Sequence, residues 1–267
     1  MTGPTMIDAF CGAGGATRGY QLAGFRVIGV DITPQSNYVG DEFHQGDALE
    51  FIAAHGHKFD AIHASPPCQA YSMANNIHGR TDHPDLVAAT RRALTATGRP
   101  WVIENVPGAP MTNYAVLCGL AFGLGVKRHR LFETSFWVWG PPLCPPGHPG
   151  DWVSVFGHTV LERGHVIGKA KGGGNRIKRR HLGTDRGRSA MGIDWMTRDE
   201  LSQAIPPAYC EFIGQQLLAF LQHDAGGRSA GSSPERTVDI SASRRHGTDS
   251  HLSTGAPVGN DTDEEGD

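Results

Sequence analysis

The chain has 267 residues, 39% of them hydrophobic, with 24 Lys and Arg against 27 Asp and Glu and a formal net charge of −3. That length and apolar share support a substantial core in one large domain or two small ones, and the balance of charge leaves a polyanionic partner open. Five widely spaced cysteines, Cys11, Cys68, Cys118, Cys144 and Cys210, with no CxxC pair, exclude a disulfide scaffold, and no signal peptide or membrane-spanning apolar run is evident. A reducing, cytoplasmic setting with free thiols is therefore expected.

In chain order, TMIDAF (residues 5–10) reads as an apolar strand running into the glycine turn CGAGGATRG. GYQLAG reads as a short helix, and FRVIGVD as a second strand ending on Asp31. HQGDALEFIAAHG combines a strand-like start, Asp47 and a helix, and FDAIHAS is the next strand. PDLVAATRRALTATG has proline at its start, apolar residues at helical spacing and glycine just past its end. WVIENV follows as a strand, and RLFETSFWVW, from Arg130, as a late strand expected at or near a sheet edge. This alternation predicts an α/β fold with a mostly parallel, doubly wound sheet. After Trp139, GPPLCPPGHPGD and AKGGGNRIKRRHLGTDRGR lack helical or strand periodicity and predict a loop-rich insertion. Regular structure resumes in TRDELSQAIPPAYCEFIGQQLLAFLQ, where Thr197 and Glu200 fit a capping box. From about Asp224 onward large apolar residues nearly vanish, and a disordered tail is expected.

Charge is unevenly distributed along the chain. Residues 163–188 hold 9 Lys and Arg and a single acid, Asp185, whereas residues 224–267 hold 9 acids and 4 bases. The basic stretch, with Arg176, Lys178, Arg179 and Arg180 at its centre, is compatible with a phosphate backbone. Cys144 and His148 form a CxxxH pair, but no second pair with ligand spacing is evident, and no metal is expected.

Gly12, Gly14 and Gly15 directly follow the first strand, where glycine lets backbone approach a ligand at a helix N-terminus. The dinucleotide fingerprint fails at Thr17, and there is no P-loop lysine. Asp31 and Asp47, at successive strand ends, are placed to accept ribose hydroxyls and to meet an adenine amine. Together these features outline an adenosine-sized site without a phosphate cradle, which favours S-adenosyl-L-methionine over NAD or ATP.

The stretch HASPPCQAYS holds a cysteine, Cys68, at a rigid double-proline corner just after a strand. If that strand and WVIEN are adjacent and parallel, Cys68 and Glu104 share the crevice with the glycine turn. A thiolate and a carboxylic acid suit addition to an electron-poor ring carbon with protonation of a ring nitrogen. The neighbouring carbon then becomes nucleophilic enough to attack a sulfonium methyl group.

With these residues in order, the sequence resembles the C5-cytosine DNA methyltransferase family through most of residues 5–222. DAFCGAGG resembles its cofactor motif, SPPCQ its nucleophile loop, ENV its glutamate motif and RHR its RxR motif, while AIPPAYCEFIGQQL resembles the late motif closing the cofactor pocket. The resemblance implies a Rossmann-like AdoMet-dependent methyltransferase fold, Cys68 as nucleophile, and Glu104, Arg128 and Arg130 as its catalytic partners. It assigns cofactor contacts to Asp8, Phe10, Gly12, Gly14, Gly15, Asp31, Ile32, Asp47, Ala48 and Pro66, and DNA contacts to Gln69 and Ser72. The implied partner is double-stranded DNA with a flipped target base. A tRNA methyltransferase or a dormant nucleic-acid-binding relic are the alternatives. Departures from the family pattern are Val126 two positions before RHR, Asp31 where glutamate is more usual, and Gln203-Ala204 in place of Gly-Asn. The expected organisation is a catalytic region 1–138, a short target-recognition segment 139–190, a return 191–222 to the catalytic domain, and a tail 223–267.

Overall fold

The computed structural model describes residues 3–67, 86–156, 159–169 and 175–229, with side chains described for all of these except 165–169, 175–178 and 225–229. Twelve strands occur among them. β1 (Thr5–Ala9), β2 (Arg26–Asp31), β3 (Glu42–Gln45), β4 (Ala61–Ala64), β5 (Trp101–Asn105), β6 (Tyr114–Cys118) and β7 (His129–Thr134) build one sheet in the order β3-β2-β1-β4-β5-β7-β6. The pairings from β3 through β5 are parallel, and β7 runs antiparallel to both β5 and β6. The α/β, mostly parallel sheet expected from the sequence is what forms. The late strand lies next to the edge, and it ends at Thr134, leaving Trp137 and Trp139 largely exposed beyond it.

Side chains alternate across the strands and divide the core into two faces. Met6, Val27 and Val102 pack with Tyr20, Tyr209 and Ile213 of α1 (Gly15–Ala23) and a long C-terminal helix Pro207–Ser229. Ile7, Val30, Ile62 and Ile103 pack instead against α2 (Ala48–His55) and α3 (Val87–Ala96). Helix α1 ends at Gly24 in the left-handed region, and α2 begins at Asp47, whose carboxylate accepts from the Leu49 and Glu50 amides.

The insertion after Trp139 has more regular structure than its composition predicts. β8 (Val153–Phe156), β9 (Thr159–Glu162) and β12 (His181–Leu182) form a three-stranded sheet, and β10 (His165–Lys169) pairs antiparallel with β11 (Asn175–Lys178). Their strands are two to five residues long, too short for a hydrophobic period to stand out. Val153, Val155 and Val160 form a separate small core with Met191 and Ile193 of α4 (Thr184–Met191) and its exit, and with Leu201 of α5 (Arg198–Gln203). The capping box expected at Thr197 and Glu200 is present at the start of α5. The C-terminal helix, α6, continues to Ser229, beyond the expected start of the tail; residues 230–267 lie outside the described residues.

Arg128, just before β7, joins the two cores. Its guanidinium donates to the carbonyls of Val155 and Ser202, at 2.6 and 2.7 Å, while the buried Tyr209 hydroxyl donates to the Arg128 carbonyl at 2.6 Å. Replacing Tyr209 by Phe removes a buried hydrogen bond worth about 1 kcal/mol and should lower the melting temperature by about 2–4 °C. An unchanged melting curve for Tyr209→Phe would show that the bond contributes nothing to holding α6 on the sheet.

Candidate active site

The carboxyl ends of the parallel strands open on one cleft of about 500 Å³. Phe10, Gly12 and Gly15 reach it from the turn after β1, Asp31 and Ile32 from the end of β2, and Ser65, Pro66 and Pro67 from the corner after β4. Glu104 and Arg130 also line it, and Met196, Asp199, Glu200, Gln203, Ala204 and Ile205 line it from the C-terminal return. These last residues were not assigned from the sequence, apart from the expectation that the late motif helps close a cofactor pocket.

The glycine turn is shaped for a close neighbour. Phe10 has φ 59°, a costly conformation for an aromatic residue, and Gly12 has φ 49° with open space where a Cβ would stand. A Cβ at Gly15 would lie 2.5 Å from the Ile205 carbonyl oxygen, so this glycine permits the C-terminal return to seat against the turn. Asp31 accepts from the Gly12 amide at 3.0 Å and the Thr33 amide at 2.9 Å, which sets the spacing between the first two strand ends. Ile32 beside it is 70% exposed, an apolar side chain at the rim with nothing over it among the described residues.

Parallel pairing of β4 with β5 sets Ala64 opposite Ile103. Continued past Ala64, that register brings the double-proline corner alongside Glu104 and Asn105. Two hydrogen bonds hold the corner. Asn105 Nδ2 donates to the Pro66 carbonyl at 3.0 Å, and Ser65 Oγ to the Phe10 carbonyl at 3.1 Å. The Asn105 bond went unread in the sequence, although its position directly after Glu104 carried the signal. Cys68, Gln69 and Ser72 lie outside the described residues, with Cys68 joined directly to Pro67.

Glu104 is only 5% exposed, and Arg130 Nε lies 2.8 Å from its Oε1. Burial pushes the Glu104 carboxyl above its ordinary value, against the opposing pull of Arg130, then of His63 and Arg128. A carboxyl so placed is biased toward holding a proton within the cleft. The other cysteine there, Cys11, is a different case. Burial first, then the carboxylates of Asp8 and Asp31, drives its thiol far up and leaves it an unreactive packing group.

Several residues assigned from the sequence take other positions. Asp8 is fully buried behind the turn, held by Thr17 Oγ1 at 2.5 Å and His63 Nδ1 at 2.8 Å, so it braces the turn from within the core. Gly14 is the N-cap of α1, against Tyr38 and Val39. Asp47 caps α2, and Ala48 is buried in the second core face, so neither lines the cleft. The Arg128 guanidinium is directed to backbone carbonyls, which leaves the cleft to Arg130. Arg179 and Arg180 are exposed, with Arg180 Nε 3.3 Å from a Glu162 carboxylate oxygen, while the side chains of Arg176 and Lys178 lie outside the described set.

Comparison with known proteins bears on this arrangement. Residues 4–117 match the family model for C-5 cytosine-specific DNA methylases. The type II methyltransferase M1.HphI of Haemophilus parahaemolyticus is 36% identical over 90 residues, covering 29% of this chain and 24% of that protein. M.AplI of Arthrospira platensis is 24% identical over 184 residues, 58% of this chain and 53% of the relative, so the chain spans about half or less of the length of these relatives. Among solved structures, the S. pombe Dnmt2 methyltransferase superposes with a TM-score of 0.55 at 14% identity, covering 82% of this chain and 99% of that one. A candidate DNA modification methyltransferase encoded within an E. coli prophage does so with a TM-score of 0.52, again at 14% identity and the same coverage. These two likenesses establish the fold, which is Rossmann-like and of the methyltransferase type.

The Glu104–Arg130 pair yields a measurable titration. Carbon-13 labelling of the Glu side chains should show the Glu104 carboxyl titrating above 4.5, and higher still in Arg130→Met, because the guanidinium pulls the value down. Glu104 protonation favours the native state below pH 4.5, and this contribution is lost as pH rises through the raised value. A Glu104 resonance titrating at or below the ordinary glutamate value would contradict the burial argument.

Proposed function

We propose that this chain, whose residues 4–117 match the family model for C-5 cytosine-specific DNA methylases, transfers a methyl group from S-adenosyl-L-methionine to C5 of cytosine in double-stranded DNA. The observation that carries the reading is the convergence of three features on one cleft: the glycine turn, the double-proline corner leading to Cys68, and a buried Glu104 beside Arg130. The residues present fit the donor. Space stands open at Gly12, Asp31 sits where a ribose hydroxyl can reach its remaining acceptor sites, and Ile32 offers an uncovered apolar surface to a base. When bound, S-adenosyl-L-methionine supplies an electrophilic methyl group on a positively charged sulfur, with Phe10 expected against its methionine part.

The protein's own groups supply the rest. A cytosine within a stacked duplex does not expose C6 to attack, so the base is flipped into the cleft. The Cys68 thiolate adds to C6 while the Glu104 carboxyl gives its proton to N3, and the displaced electron pair makes C5 nucleophilic. C5 takes the methyl group. Loss of the C5 proton to a base then expels the thiolate, and N3 returns its proton to Glu104. Arg130 keeps the carboxyl aimed into the cleft and helps hold the base. Residues 139–190 serve target recognition in this reading, with Gln69, Ser72 and the basic stretch containing Arg176, Lys178, Arg179 and Arg180 on the DNA.

Bisulfite sequencing of plasmid DNA from cells expressing the protein should reveal methylated cytosines in one short sequence context, absent with Cys68→Ala. Glu104→Gln should slow turnover by about 10²–10⁴-fold. Methylation by Cys68→Ala at the parent rate would sink the mechanism, and methylated tRNA with unmodified DNA would replace the substrate.

A further inference from the structure

On the far side of β7 from the cleft, four side chains of ligating type converge: Cys118, His129, Cys144 and His148. We propose that they form a structural zinc site of the Cys2His2 type. The sequence expectation of no metal treats Cys144 and His148 as an isolated pair, because the other two ligands are separated from them in the chain and from each other. The fold supplies both. Cys118 ends β6 and His129 begins β7, and the antiparallel register sets them directly opposite one another.

The geometry favours a cation over hydrogen bonding. All four ligand atoms lie within 4.8 Å of one another. His129 Nε2 and His148 Nε2 are 3.1 Å apart, and Cys144 Sγ is 3.1 Å from the His148 nitrogen and 3.4 Å from the His129 nitrogen. One sulfur and two imidazole nitrogens so close together can turn three lone pairs toward a single cation. Tetrahedral zinc, from its usual bond lengths, holds ligand atoms about 3.3–3.8 Å apart, close to these spacings. Thiolate and imidazole together select zinc over the hard cations, and four protein ligands make a closed, non-catalytic site.

The surrounding loop gives the ion something to do. The stretch GPPLCPPGHPGD has little apolar material to fix it, and Leu143 within it is 90% exposed. Its turn places His148 at φ 48°, an unfavourable value for a non-glycine residue, with the His148 carbonyl accepting from Trp152 Nε1 at 3.0 Å. Ligation would pin this turn onto β6 and β7. It would also fix the backbone of His129, whose carbonyl accepts from the Arg130 guanidinium at 2.8 Å. The metal is thus a brace for the residue that faces Glu104, reached through the same strand.

The test is metal analysis of the full chain purified under reducing conditions without chelator. About one zinc ion per chain is expected, falling below roughly a tenth of that in Cys144→Ser and His148→Ala and unchanged in His181→Ala, an exposed histidine away from the cluster. Replacement by cobalt(II) should give the visible bands of a tetrahedral ion with thiolate charge transfer, lost in the same two variants. Because the parent protein itself is measured, misfolding of a variant does not decide the outcome. A folded parent without zinc and without tetrahedral cobalt bands overturns the proposal. So does a Cys118–Cys144 disulfide in the parent as the group holding the loop, detected by mass spectrometry after thiol blocking.

Discussion

The site depends on one pairing, that of β4 with β5 in parallel. β4 ends in a corner that cannot continue a sheet, because two consecutive prolines remove two donors and fix two φ angles. β5 runs further, through Glu104 and Asn105, and the Asn105 amide takes hold of the corner at the Pro66 carbonyl. A register slip by one residue would turn Glu104 to the opposite face of the sheet and Asn105 away from the corner. The side chains that exclude such a slip are apolar and lie behind the site, with Ile62 and Ile103 on one face of the sheet and Val102 on the other. Packing in the core therefore sets the distance between the chain that carries the thiol and the acid that would work with it.

The acid itself shows two opposed forces. Removing a carboxylate from water favours its protonated form, and the guanidinium groups of Arg130 and Arg128, with His63, pull toward the charged one. Arg130, at 2.8 Å, is the strongest of these, but burial prevails. The result is a group held close to a cation yet reluctant to ionise, which is the condition for donating a proton and then taking it back. Arg128 pulls less than Arg130 or His63, and its guanidinium donates to the carbonyls of Val155 and Ser202. Two arginines spaced two apart in the chain therefore have different partners, Arg130 the carboxyl of β5 and Arg128 the carbonyls of β8 and α5.

The parts of this protein that follow local rules were legible in its sequence. Strand and helix alternation, the glycine turn, the Thr197–Glu200 capping box and the ENV segment each carry their signal within a few residues, and each forms where expected. Features made by distant segments were not legible. Asp8 reads as a cofactor ligand beside the glycines, but its partner His63 comes from a strand 55 residues away and draws it into the core. Asp47 is a local case that was read only as a ligand contact: one of its carboxylate oxygens caps the helix through the amides two and three residues on. The short strands of the insertion escape any periodicity test, since their core is assembled from β8, β9, α4 and α5 together.

β7 shows how much one strand can separate. Its alternation turns Arg130 and Phe132 to the face shared with Glu104, which lies opposite Phe132 in the register. His129 points the other way, across from Cys118, toward the proline-rich turn. The backbone of a single strand thus stands between the buried Glu104–Arg130 pair and the cluster of Cys118, His129, Cys144 and His148. Inserting or deleting one residue before His129 would exchange the two faces, placing an imidazole beside Glu104 and a guanidinium among the ligands. The triplet Arg-His-Arg is consequently constrained at every position by a different neighbour: the Val155 and Ser202 carbonyls for Arg128, the ligand cluster for His129, and the buried carboxyl for Arg130.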